Sequence, residues 1–382
     1  MNKYIDRLAG SASIELMQKA QELREAGKDI ISLAGGEPDF DTPTKITETA
    51  VQALKAGDTH YAVGKGIVEL REKIAQKART ENRIQCTAED VIVTPGGKFG
   101  IYLSVASLIN IGDEVIVFSP YWVSYCPIVR ACGGIPVICQ LDYQEQYRIS
   151  EEKLLPLITE RTRAIIINYP NNPTGRILSS DEAELLRDIA KKYNLFIISD
   201  EIYEKIVFDG KKNVSIASYE GMQDRVITVN GFSKSVAMTG WRLGYTIASQ
   251  KFTKVMYKLY VHTITGTSPF IQKAAIQAFS CEDEIEKMRQ IYEQRRNYFI
   301  CSLNEIDGIE CRMPEGAFYA WVHFEKENSA KAACEHLLEN YGILGVDGSS
   351  YGETDRSCVR FSFASSMETL EQTIERLKDY EV

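Results

Sequence analysis

From about residue 90 to 250 the chain repeats one unit: a short aliphatic run rich in β-branched residues, a polar turn, then a stretch with helical spacing. The strands expected from these runs are Val91 to Val93, Val115 to Val117, Pro136 to Ile138, Ala164 to Ile167, Leu195 to Ile198, Val226 to Val229 and Leu243 to Ile247. The runs are continuous rather than alternating, as a parallel sheet covered on both faces requires. The expected fold class is α/β, a large domain around a seven-stranded, mostly parallel sheet.

The intervening helices are also legible. Ser179 and Glu182 have capping-box spacing, and Leu185, Leu186, Ile189 and Ala190 then recur on one face before Asn194 ends the element. A helix after Gly97 carries Ile101, Leu103, Val105, Ala106 and Leu108, apolar almost all round, and must be buried. Past residue 285 the texture changes to a charged helix (Glu284 to Asn304) and mixed strands at Ile309 to Cys311, Ala317 to Val322 and Cys358 to Phe363. This predicts a smaller α+β domain, with a helix from about Ser11 to Ala26 packed on it. The expected division is a large domain at 46–285 and a small one built from 1–45 and 286–382, within the prior of roughly 100 to 200 residues per domain for 382 residues.

Composition removes several function classes. Acidic residues number 53 and basic ones 44, a net charge of -9 without a block of like charges, which argues against a nucleic-acid partner. No apolar run reaches the ~18 to 20 residues of a spanning helix, so no membrane partner is expected. The N-terminal stretch mixes charged and apolar residues, unlike a signal peptide, and points to the cytoplasm. Nine cysteines without a C-x-x-C suggest reduced core thiols, and four unclustered histidines give no metal site. A nicotinamide dehydrogenase would need a G-x-G-x-x-G opening a helix, which the chain lacks.

The residues that carry chemistry lie on the loops after the strands. Lys234, flanked by Ser233 and Ser235, is the only charge between Val226 and Trp241. Desolvated, its amine becomes a nucleophile for a carbonyl; otherwise it is a lysine snorkelling from a helix end. Arg242 follows in Met238-Thr239-Gly240-Trp241-Arg242-Leu243-Gly244, where a guanidinium can clamp an anion beside that lysine. Thr94-Pro95-Gly96-Gly97-Lys98 opens the buried helix and offers free backbone N–H groups as a phosphate cradle. Asp200, with Glu201 and Tyr203, directly follows a strand: either a helix N-cap, or a carboxylate at the sheet edge where α/β proteins bind ligands. Asn171-Asn172-Pro173-Thr174-Gly175 reaches the same rim, or is an ordinary turn.

Taken together, Gly36-Glu37-Pro38-Asp39-Phe40, Asn172-Pro173-Thr174-Gly175, Ser199-Asp200-Glu201-Ile202-Tyr203, Ser233-Lys234, Met238 to Gly244 and Arg360 resemble the class I/II aminotransferases, fold type I enzymes that use pyridoxal 5'-phosphate. By that resemblance Lys234 would hold the cofactor covalently as an imine, and Asp200 would pair with its pyridinium nitrogen. Asn172 and Tyr203 would bond the ring hydroxyl oxygen, and Trp122 would stack on the ring. Gly97, Lys98, Ser233 and Arg242 would hold the phosphate. Many relatives carry a serine three residues before the lysine, where this chain has Gly231. Tyr61 would reach the phosphate of a neighbouring subunit, implying a homodimer with shared sites. Arg360, on the strand face opposite Val359, Phe361 and Phe363, reads from alternation as simply polar; the resemblance makes it the fork for the substrate carboxylate, helped by Gly36 and Asn172.

The implied reaction moves an amino group from an L-amino acid to 2-oxoglutarate, with amino-acid and 2-oxo-acid substrates. Tyr121-Trp122-Val123-Ser124-Tyr125 and Ala237 to Tyr245 resemble bacterial aspartate aminotransferases, some of which accept prephenate or aromatic amino acids. Some of those aspartate enzymes carry a lysine on the helix after the Gly-Gly-Lys turn. Here Phe99 to Ile109 is uncharged, so an aromatic substrate stays open beside aspartate. A C–S β-lyase on the same fold and a non-catalytic ligand-binding protein are the rival classes.

Overall fold

A computed structural model describes residues 12–62, 64–352 and 357–381; Ser11, the expected first residue of the N-terminal helix, lies outside them. The aliphatic runs form a seven-stranded sheet in the order Val91–Thr94, Gly244–Ile247, Val226–Gly231, Phe196–Asp200, Thr162–Asn168, Glu114–Ser119 and Ile135–Gln140. Gly244–Ile247 runs antiparallel to both neighbours, and the other pairings are parallel. Val91–Thr94, Glu114–Ser119 and Val226–Gly231 are buried at every position, as their unbroken apolar runs demand. The helix Gly97–Leu108 packs against Val226–Gly231 and Gly244–Ile247. Its first turn therefore lies beside the loop that follows the first of these strands and carries Ser233 and Lys234.

The capping box is complete. Ser179 Oγ accepts from the Glu182 amide, and the Glu182 carboxylate accepts from the Ser179 amide. The same carboxylate also takes the Arg176 guanidinium at 2.8 Å and the Ile149 amide at 2.8 Å, so one side chain ties three segments together.

A second, four-stranded antiparallel sheet runs in the order Val346–Asp347, Cys358–Ser362, Tyr319–Phe324 and Ile309–Cys311. Helix Glu282–Leu303 packs beside Met367–Leu377 near it. Ile31–Ser32 pairs in parallel with Ile343–Leu344, and Ala20 of the helix Ala12–Glu25 shares an apolar cluster with Leu338 and Leu344. The strand expected from Ala317 starts later, at Tyr319. Gly316 instead bridges Val207, the Ala317 amide bonds the Ile206 carbonyl, and Ala317 takes a positive φ of 58°, so those two residues are spent on a turn between the sheets. Among the described residues no helix is long and apolar enough to cross a membrane.

Candidate active site

A cavity of about 370 Å³ opens where the parallel strands end. Asp200 is the last residue of Phe196–Asp200, and its neighbour strand Thr162–Asn168 leads into the loop carrying Asn172. From the loop after Val226–Gly231 come Ser233 and Lys234, and from the helix N-terminus Gly97 and Lys98. Gly36, Trp122, Tyr203, Arg242 and Arg360, also predicted, lie on the cavity wall.

The Lys234 amine donates to the Gly36 carbonyl and faces the rings of Tyr203 and Phe318 at 5.9 and 5.7 Å. Burial pushes its pKa down from 10.5 to about 8; Glu37 opposes the fall, and the guanidinium groups of Arg360 and Arg242 add to it. A substantial neutral fraction near pH 8 is what a lysine nucleophile needs. Asp200 shows the complementary shift. Burial raises its carboxyl from 3.8 to about 6, against hydrogen bonds from the Tyr125 hydroxyl (2.8 Å) and the Ile202 amide (3.2 Å). It has no ion-pair partner among the described residues, so a cation brought into the cavity would restore the charged form.

At the other end, Gly96 caps the helix Gly97–Leu108 with φ +84° and no side-chain hydrogen bond, leaving the first amides free. A Cβ at Gly96 would stand 2.7 Å from Arg242 Nη2, so only glycine lets the guanidinium lie against this turn. Arg242 is held there by donating to the Thr239 carbonyl at 2.8 Å. Gly231 has a packing reason of its own: a Cβ there would meet the Gly244 Cα and the Leu243 carbonyl at 3.0 Å, tighter than ordinary contact, so a side chain would require the paired strand to give by a few tenths of an ångström.

Arg360 corrects the alternation argument. All five residues of Cys358–Ser362 are buried, and the face that reads as polar is a second interior. Its guanidinium donates to Asn172 Oδ1 at 3.2 Å and to the Ala34 and Gly35 carbonyls at 2.9 and 3.3 Å, and stacks over Tyr319 at 4.3 Å. Its Nε is buried with no acceptor, and no carboxylate pairs with the group among the described residues. A buried, unpaired guanidinium is an expensive arrangement that a bound anion relieves.

The family model described as aminotransferase class I and II matches residues 28–377. The chain belongs to this family. An aspartate aminotransferase of Bacillus subtilis is 38% identical over 99% of this chain and 98% of its own length. An aromatic-amino-acid aminotransferase of Thermococcus litoralis is 40% identical over 95% of this chain and 94% of its own. Aspartate aminotransferase from Thermus thermophilus with maleate superposes with a TM-score of 0.93 at 36% identity, covering 99% of this chain and 98% of that one.

This aminotransferase is thus a pyridoxal-phosphate enzyme acting on amino acids and oxo acids. The residues present fit the cofactor: a buried carboxylate lacking a cation, a lysine whose pKa burial lowers to about 8, and a glycine-lined helix end beside Arg242. Tyr61 alone among the predicted residues stays away from the cavity, 90% exposed. Two wall residues, Tyr125 and Tyr319, escaped the sequence, and a third, Lys98, was expected only through its backbone. Tyr125 lies one turn beyond Trp122, with rings 5.3 Å apart, and its bond to Asp200 spans distant segments. Tyr319 had no motif to mark it. The Lys98 side chain, exposed overall, lines the same cavity with its ammonium 5.0 Å from the Trp122 ring.

Proposed function

We propose that this aminotransferase takes the amino group of aspartate and delivers it to 2-oxoglutarate. The observation that carries this reading is a pair of cations, Arg360 and Lys98, on one cavity and without acidic partners among the described residues. Arg360 presents a planar fork for the α-carboxylate, and Lys98 a point charge for a second carboxylate. The uncharged helix beyond Lys98 removes nothing, because Lys98 itself supplies the charge.

Lys234 would anchor the cofactor, Asp200 would pair with its ring nitrogen, Asn172 and Tyr203 would bond the ring oxygen, and Trp122 would cover the ring. The amides of Gly97 and Lys98, with Ser233 and Arg242, bind the phosphate. When bound, pyridoxal phosphate supplies an aldehyde carbon and a protonated ring that draws electrons from the bond to be broken. Arg360 and Asn172 orient the substrate so that its Cα–H faces Lys234. Lys234 Nζ would then serve as the base that takes and holds the Cα proton, a role its lowered pKa suits.

Tyr61, exposed in the single chain, would complete the phosphate site of a second copy, so the reading includes a homodimer. The nine free cysteines suit a reducing, cytoplasmic setting. A substrate panel tests the assignment. Glutamate formed from aspartate and 2-oxoglutarate faster than from tyrosine supports it; preference for tyrosine, or thiol release from cystathionine, overturns it.

A further inference from the structure

Tyr319 stands at the junction of the two sheets, 1% exposed. It opens strand Tyr319–Phe324 of the small sheet, and the register sets Arg360 opposite Trp321, two residues along, so both side chains come from one rigid antiparallel pair. Its hydroxyl lies 2.8 Å from that of Tyr203, which belongs to the loop after Phe196–Asp200 of the large sheet. Its ring lies under the Arg360 guanidinium at 4.3 Å, and a Cβ at Gly36 would touch its hydroxyl at 3.4 Å. Arg360 also donates to Asn172, the other proposed ring-oxygen partner, at 3.2 Å, and Tyr319 is what joins the proposed carboxylate fork to Tyr203.

The proton count gives this contact a direction. Each phenol has one proton to donate. If Tyr203 spends its proton on Tyr319, it has none for the cofactor's ring oxygen. If Tyr319 donates to Tyr203, the Tyr203 proton is free for that oxygen. A guanidinium over the Tyr319 ring draws electron density from it and strengthens its hydroxyl as a donor. Neutralising Arg360 with a substrate carboxylate weakens that pull.

We propose that Tyr319 is a positioning residue that passes the pairing of Arg360 with a carboxylate on to the hydroxyl of Tyr203. Carboxylate binding at one end of the cavity is thereby felt at the ring oxygen of the cofactor. The inference rests on the proposed roles of Arg360 and Tyr203 and adds the link between them.

Tyr319→Phe keeps the ring under Arg360 and deletes only the hydroxyl. The measurement is a pH titration of the visible absorbance of the cofactor-loaded protein, with and without maleate as an unreactive dicarboxylate. Losing one hydrogen bond should raise the midpoint of the free form by between about half and one pH unit. The maleate-induced shift should shrink in the variant, while cofactor content and thermal midpoint stay near wild type. A variant whose free-form midpoint and maleate shift both equal those of wild type overturns the proposal. Tyr203→Phe separates the two levels: if it leaves the midpoint unmoved, the assignment of Tyr203 has failed; if it moves the midpoint and Tyr319→Phe does not, only the link has failed.

Discussion

The two sheets serve the cavity by different means. The seven-stranded sheet offers loop residues and backbone amides at its strand ends: Asp200, the Lys234 loop, and the open first turn of Gly97–Leu108. The four-stranded sheet offers interior side chains, Arg360 and Tyr319, from the middle of one strand and the start of its neighbour. Strand ends leave N–H groups and short side chains free for a cofactor. A buried strand face holds a long guanidinium still by packing it on a ring. If that contrast is correct, removing Lys234 from the first region should abolish the cofactor's chemistry, whereas replacing Arg360 in the second should cost the substrate and leave the cofactor bound.

The largest effect should come from the first region. Lys234→Ala removes both anchor and base, and steady-state turnover should fall by about 10⁴-fold or more; turnover within tenfold of wild type would break the contrast. Next comes Arg360→Lys, which exchanges the fork for a point charge under the same ring. Its kcat/KM for aspartate should drop by about 30-fold to several thousand-fold, matching roughly 2 to 5 kcal/mol for an impaired buried charge contact, while absorbance shows full cofactor content. Cofactor loss in parallel would place Arg360 in the first region instead.

Asp200→Asn probes the large sheet through stability. In the cofactor-free protein Asp200 titrates near pH 6 rather than 3.8, because burial disfavours its charged form. The folded state therefore binds the proton more tightly, so stability is present below the unfolded value and is lost as pH rises from about 4 through 6. The loss is about 3 kcal/mol, and denaturant midpoints of the cofactor-free Asn variant should not show it. Glu201, raised to about 7 by burial and by Glu204, adds a loss of the same sign to both proteins. Identical pH profiles would mean that Asp200 is solvated or paired. The smallest effect belongs to Lys98→Met, which should cost roughly tenfold in kcat/KM for aspartate and leave tyrosine nearly untouched, about 1.4 kcal/mol of discrimination.

What could be read from the sequence divides along the same line. The strands of the large sheet announce themselves as unbroken apolar runs, and its site residues fall in short motifs directly after them. Gly97 and Asp200 therefore land where expected. Arg360 was placed by resemblance, while alternation assigned it to a polar face, because a two-residue period cannot tell solvent from a second interior. Tyr125 and Tyr319 meet partners, Asp200 and Tyr203, that lie far away in the chain. Lys98 was visible but ambiguous, since a glycine-rich turn draws attention to its amides. Long-range side-chain pairing leaves no periodic trace, and packing alone decides it.

The most direct measurement is borohydride reduction of the protein loaded with pyridoxal phosphate, followed by peptide mapping. Repeating the loading across pH should show its rate rising until about pH 8 and then levelling, because the neutral amine is the reactive form and burial sets its midpoint there. The account predicts one labelled peptide, containing Lys234. Label on a different lysine, or none on a protein that still transaminates, would contradict it.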